Sequence, residues 1–195
     1  AHANRWGYVD FNRPMTEINM REQQADSTFT LCGGDRVHPT TDGHLVMAYL
    51  FLKAQGLANE PVADIAIDAL TRTVNRSDNC KIDDLVVSSE NISFTYLANS
   101  LPYPIDRSHY NNELHTQADA LNVIPFMDEM NYEGLAVKGL SDGYYVLKID
   151  GKTITRLTAG DLKRGINLAA YDNTPQNEQA QEIRRLNEQR WFMER

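Results

Sequence analysis

Asp35 and His38 stand three residues apart in Cys32-Gly-Gly-Asp-Arg-Val-His-Pro-Thr-Thr-Asp-Gly-His44, a spacing that lets a carboxylate reach the Nδ1 side of an imidazole. With Nδ1 occupied, Nε2 is free to take a proton from a hydroxyl nucleophile, which is the base-and-orienter half of a serine relay. A loop and the helix it enters must hold this pair. Pro39 has a fixed φ and no N–H, which suits a first helical turn, and Thr40, Thr41 and Asp42 are each competent N-caps. The run from His44 to Gly56 is apolar on almost every side and predicts a buried helix closed by Gly56. His44, next to Gly43, is expected to tie the loop together through a ring hydrogen bond. Arg36, between the two candidate catalytic residues, reads either as solvated charge or as a residue that lines a substrate cleft or binds an anion.

The block Asp35-Arg36-Val37-His38-Pro39, with Gly43-His44 and Met47-Ala48, resembles the last conserved block of the SGNH (GDSL-type) hydrolases, an α/β family of esterases and acylhydrolases. Upstream, the segment from Trp6 to Phe11 resembles the last parallel strand before this block, and Pro14-Met15 the loop leaving that strand. Downstream, Leu101-Pro-Tyr-Pro104, the stretch from Gly143 to Gly151, and Gly165-Ile-Asn-Leu-Ala169 followed by Thr174-Pro175 resemble a C-terminal extension of one bacterial subgroup. The resemblance implies that His38 is the general base and Asp35 its orienting carboxylate, with no cofactor. It implies an O-acetyl or other short acyl ester as substrate, acylated carbohydrate among the candidates, and a secreted or periplasmic bacterial setting.

The family's Gly-Asp-Ser nucleophile motif, and the glycine and asparagine blocks of its oxyanion hole, do not occur here. Leu140-Ser-Asp-Gly143 and Gly165-Ile-Asn167 imitate them in the wrong order, in segments that read as hairpin or turn. The expectation is therefore the C-terminal portion of a larger hydrolase, cut inside a helix near Ala1-His-Ala-Asn4. Its missing N-terminal half would carry the serine. A relay that acts as a unit loses orders of magnitude in rate with any member removed, so the chain alone is expected to be nearly inert.

Composition sets outer bounds. The 195 residues, 42% hydrophobic, can bury one substantial core or two small ones. A net charge of −8 argues against nucleic acid or an anionic membrane as partner. No apolar window is long enough for a spanning helix. Cys32 and Cys80 are the two cysteines, and neither spacing nor compartment argues for a disulfide between them.

The predicted fold class is α/β: the C-terminal part of a parallel-sheet, three-layer SGNH domain over residues 1–75, a β-rich extension of antiparallel hairpins over 76–160, and short and long helices over 161–195. Tyr8–Phe11 is expected as a strand, Met15–Ala25 as a polar helix or loop, and Val62–Leu70, after Pro61, as an amphipathic helix. Ile82–Val87 and Ile92–Leu97 suggest a hairpin around Ser88-Ser-Glu-Asn91. Tyr144–Ile149 and Thr153–Arg156 flank Asp150-Gly151, a dipeptide suited to the positive φ values of a primed turn. Thr158-Ala-Gly-Asp161 reads as a capped short helix, and Thr174-Pro175 as the start of a long polar helix ending near Arg195.

The remaining candidates are weaker. His109 and His115 are six apart, which fits neither the i, i+4 face of a helical zinc site nor another metal pattern. Tyr103, in Leu101-Pro-Tyr-Pro-Ile-Asp106, is either a substrate-stacking residue on a rigid lid or part of an extended linker. Two further classes stay open: a catalytically inactive glycan- or protein-binding module, and one half of a processed two-chain hydrolase.

Overall fold

A computed structural model describes residues 7–88, 91–109 and 115–194. The chain divides into two units, one made of Ala1–Ala58 and Ile105–Phe126, the other of Asn59–Pro104 and Met127–Arg195. The contiguous regions 1–75, 76–160 and 161–195 read from the sequence are a different division of the chain.

The first unit holds helix α1 (Asn12–Glu22), the Asp35/His38 loop, helix α2 (Thr41–Ala54) and a 3-10 helix (Gln117–Asn122). Tyr8–Phe11, expected as a parallel strand, is not one. Phe11 has helical backbone angles (φ −88°, ψ −33°) and caps α1, while Asp10 Oδ1 accepts the Arg13 N–H at 3.2 Å. Pro14 then lies in the first turn of α1 rather than in a loop, where its missing N–H forfeits no helical bond. Trp6 and the expected cut near Ala1–Asn4 lie outside the described residues.

Thr40 in extended conformation is the N-cap of α2, so Pro39 precedes the helix, and Gly56 at φ +79° follows its end. The helix is one-sided rather than buried all round: Leu45, Val46 and Tyr49 are buried and Phe51 is 46% exposed. It packs on the 3-10 helix. Arg21 Nη2 donates to the Val123 carbonyl at 2.9 Å, joining α1 to the end of the same 3-10 helix.

The second unit is built on a four-stranded mixed sheet. Its strands are β1 (Ala63–Asp68), β2 (Thr73–Asp78), β5 (Glu133–Lys138) and β8 (Ile166–Asn167), in the order β2-β1-β5-β8. β1 and β5 pair parallel, in register Ile65 to Leu135, and the other neighbours pair antiparallel. The segment expected as an amphipathic helix over Val62–Leu70 is therefore strand β1. Ala63, Ile65 and Ile67 are buried while Asp64, Ala66 and Asp68 between them are half-buried, a period of two. Ile65, Ile67, Leu135, Val137, Leu157, Leu162 and Leu168 form the core of this unit.

Two hairpins complete it. β3 (Cys80–Val87) and β4 (Ile92–Ala98) pair antiparallel with Val87 opposite Ile92, and Ser88 N–H donates to Asn91 O at 2.9 Å. β6 (Tyr144–Ile149) and β7 (Lys152–Thr158) meet at a two-residue turn in which Asp150 and Gly151 have φ values of 51° and 78°, as a type I′ turn requires. Each hairpin is its own two-stranded sheet rather than part of one shared antiparallel sheet. Helix α3 (Phe126–Glu129) precedes β5. Helix α4 (Ala159–Arg164) carries the reciprocal Thr158/Asp161 capping box, and helix α5 (Pro175–Met193) starts at the Thr174 cap with Pro at its first turn. The fold is thus α/β with parallel strands, antiparallel hairpins and a C-terminal helix.

Candidate active site

The Asp35/His38 loop is closed at its base and wound at its tip. At the base, Thr40 N–H donates to Leu31 O at 3.0 Å, Gly33 N–H to His38 O at 2.8 Å, and Cys32 bridges Pro39 in antiparallel fashion. At the tip, Arg36 N–H donates to Gly33 O at 2.9 Å, and Arg36 itself sits at φ 60°. The tight turn brings the Asp35 carboxylate over the next three residues. Oδ1 accepts the N–H groups of Val37 (3.0 Å) and His38 (3.1 Å), and Oδ2 lies 2.6 Å from His38 Nδ1. One carboxylate thus fixes both the backbone of its own turn and the ring of its partner.

Those bonds hold the Asp35 carboxyl well below the usual carboxylate range, the His38 ring contributing most and the two backbone N–H groups next. A charged Asp35 keeps the proton of a neutral His38 on Nδ1 and leaves Nε2 as an acceptor. The His38 side chain is 84% exposed and that of Asp35 52%. The arrangement has the geometry that a general base and its orienting carboxylate require, with the ring open on its outer side.

The other predicted residues separate. Arg36 shares the loop and is exposed at its tip, its left-handed backbone serving the turn. Tyr103 belongs to the second unit: its N–H donates to Asn131 Oδ1 at 2.7 Å and its carbonyl accepts from Asn131 Nδ2 at 3.0 Å, a clasp that fixes an otherwise irregular segment. His44 is exposed on the first turn of α2, so its ring is not the tie expected of it. That place is taken by His115, whose Nδ1 lies 3.4 Å from Oδ2 of the buried Asp42. Sequence reasoning missed this contact, because nothing local to either residue signals a partner so far along the chain. Cys32 and Cys80 are free thiols, and burial is the main cause raising both above the ordinary thiol value.

The two segments that imitate a nucleophile block and an oxyanion asparagine have structural roles. Ser141 gives its carbonyl to the Tyr145 hydroxyl at 2.9 Å. Asn167 is saturated: Oδ1 accepts from Glu133 N–H (2.9 Å) and Ala169 N–H (3.1 Å), and Nδ2 donates to Met127 O (2.9 Å) and Asn131 O (3.0 Å). Its amide has no capacity left for an oxyanion. The second unit also carries a cleft of about 600 Å³ lined by β4, β6 and the start of α5, with Tyr96, Leu147, Lys148 and Gln176 among its walls.

No family model matches the chain, and no curated protein does. Among solved structures, it matches a gut microbial diltiazem-metabolizing enzyme over its whole length, at 48% identity and a TM-score of 0.94. The chain shares the fold of the part it matches, and it spans 44% of that enzyme's chain.

Proposed function

We propose that this chain is the base-bearing part of a serine ester hydrolase of the SGNH type. His38 is the general base and Asp35 the residue that sets its tautomer. The observation that carries this reading is the pairing of His38 Nδ1 with Asp35 Oδ2 at 2.6 Å on an exposed loop, with Nε2 unencumbered by that bond. The similarity to an enzyme whose chain is more than twice as long supports a nucleophile and oxyanion hole on sequence outside these residues.

In this mechanism His38 Nε2 accepts the proton of the serine hydroxyl as the hydroxyl oxygen attacks the ester carbonyl. It returns that proton to the leaving alcohol, and then draws a proton from water for deacylation. Asp35 stabilises the imidazolium formed in each half-reaction. The test is hydrolysis of p-nitrophenyl acetate and diltiazem by the full-length protein, with fluorophosphonate labelling of its serine. Turnover and labelling that fall with His38→Ala support the reading. Full activity in His38→Ala sinks it, and the cleft between β4 and β6 then favours the binding-module reading.

A further inference from the structure

The exposed Asp35/His38 pair shares its unit with a second Asp/His pair, of buried Asp42 and half-buried His115, that the relay does not include. Asp42 is 1% exposed, at the second position of α2. Its Oδ1 accepts from the Thr40 hydroxyl and from Gly43 N–H (2.9 Å), while Oδ2 faces His115 Nδ1 at 3.4 Å. Thr40 is the residue whose N–H closes the base of the catalytic loop on Leu31 O. Leu31 N–H is in turn held by Asn19 Oδ1 of α1 at 3.0 Å. A continuous set of hydrogen bonds therefore runs from α1 through Leu31 and Thr40 to Asp42, whose Oδ2 the His115 ring faces.

His115 is held for this contact. It stands immediately before the Thr116/Asp119 capping box of the 3-10 helix that packs on α2, and its ring meets Phe29 edge-on at 6.3 Å. Asp26 and Asp119 also act on it electrostatically. A buried carboxylate is costly unless polar groups face its oxygens, and at Oδ2 of Asp42 that group is the His115 ring. A helix cap alone would need neither the burial nor a partner from a distant segment.

We propose that Asp42 and His115 are a positioning pair: through Thr40 they fix the backbone on which His38 stands, and so the aim of its Nε2. The proposal rests on the reading of His38 as the base and adds two residues that touch no reacting atom. Loosening the Thr40 anchor lets the His38 ring leave Asp35 part of the time. That mixes its tautomers and lowers the fraction of molecules with Nε2 ready to accept a proton.

The experiment uses the full-length protein with His115→Ala, His115→Asn and Asp42→Asn. Two readouts are taken well below each variant's melting temperature: the 15N shifts of the His38 ring, and kcat and KM on p-nitrophenyl acetate. The ring shifts report which nitrogen carries the proton and need no turnover. His115→Ala and Asp42→Asn are expected to move them from the Nδ1–H tautomer toward a mixture. They are also expected to lower kcat roughly tenfold with KM unchanged, less than the roughly hundredfold that a full ångström of misplacement costs. His115→Asn keeps an amide donor where Nδ1 stood and is expected to recover most of both. Variants that melt earlier but keep the wild-type ring shifts and kcat overturn the proposal. A wild-type protein with no esterase activity overturns the hydrolase reading alone, because the ring shifts still decide whether Asp42 and His115 position His38.

Discussion

The carbonyl oxygen of Leu31 occupies the space a side chain on Gly43 would need: a Cβ built there falls 2.1 Å from it. The first turn of α2 is pressed onto the strand-like arm that leads into the Asp35/His38 loop, and only a residue without a Cβ allows that approach. The same arm supplies the Leu31 carbonyl that receives Thr40 N–H, so the close contact and the closing bond of the loop are one feature.

Gly43→Ala is therefore expected to destabilise the first unit by about 3 kcal/mol, at the upper end of ordinary overpacking. The backbone it meets belongs to the loop base, so esterase activity should fall with it. Urea denaturation of the full-length variant, followed by activity at matched folded fraction, separates the two effects. An Ala variant as stable as wild type would show that the arm yields freely.

Asp35→Asn keeps an oxygen for the N–H groups of Val37 and His38 but puts an amide donor against Nδ1. The ring must then carry its proton on Nε2, where it cannot act as a base. Activity should drop about four orders of magnitude with the loop intact, as wrong-tautomer substitutions in serine relays do. Steady-state kinetics alongside the His38 ring 15N shifts test this, and retained turnover would deny Asp35 its role.

Because its folded value is depressed, Asp35 supports the loop at neutral pH. That support is full above the unfolded value of ~4 and is lost progressively as pH falls from there toward the depressed folded value. A carboxyl 13C titration should find Asp35 still ionised at a pH where an ordinary Asp is largely protonated. A midpoint at the ordinary value would mean that the three bonds to its oxygens do not persist in solution.

Glu133 is fully buried in β5, with Oε1 taking the Tyr96 hydroxyl at 2.8 Å and Oε2 without a hydrogen-bond partner among the described residues. Burial raises both groups, the carboxyl above its ordinary value and the phenol far above its own. For a carboxyl with a raised folded value, stability is full below the unfolded pKa of ~4.3 and is lost as pH rises toward the folded value. Melting temperature should therefore decline above about pH 4, and Glu133→Gln should flatten that decline. Tyr96→Phe, which strips the remaining donor from Oε1, should cost about 1–3 kcal/mol. Identical pH profiles for wild type and Glu133→Gln would show that the carboxyl is not strained by its site.

Asn167→Ala removes four hydrogen bonds to backbone groups around β5, α3 and the 3-10 turn Leu168–Ala170 that follows it, and should cost about 2–3 kcal/mol. Activity measured below its melting temperature should be unchanged. A loss of kcat without loss of stability would instead return Asn167 to the oxyanion role that its Gly-Ile-Asn context imitates.

What the sequence determined by itself is what short-range bonds decide. Asp35 reaches groups two and three residues away, Thr158 and Asp161 cap each other, Thr174 precedes Pro175, and Asp150-Gly151 adopts the positive φ pair of a hairpin turn; each closes within a few residues and is written in residue types. Tertiary structure alone decided what needed a distant partner. Val62–Leu70 satisfies a helical spacing as well as a period of two, and becomes a strand because Leu135 and its neighbours lie alongside Ile65 with free backbone groups. Tyr8–Phe11 alternates like a strand, yet Asp10 and Pro14 suit a helix start, and no neighbouring strand among the described residues claims it. His44 sits next to the loop in sequence, yet His115, seventy-odd residues on, meets Asp42, because a buried carboxylate takes its donor from whatever segment the fold packs over it.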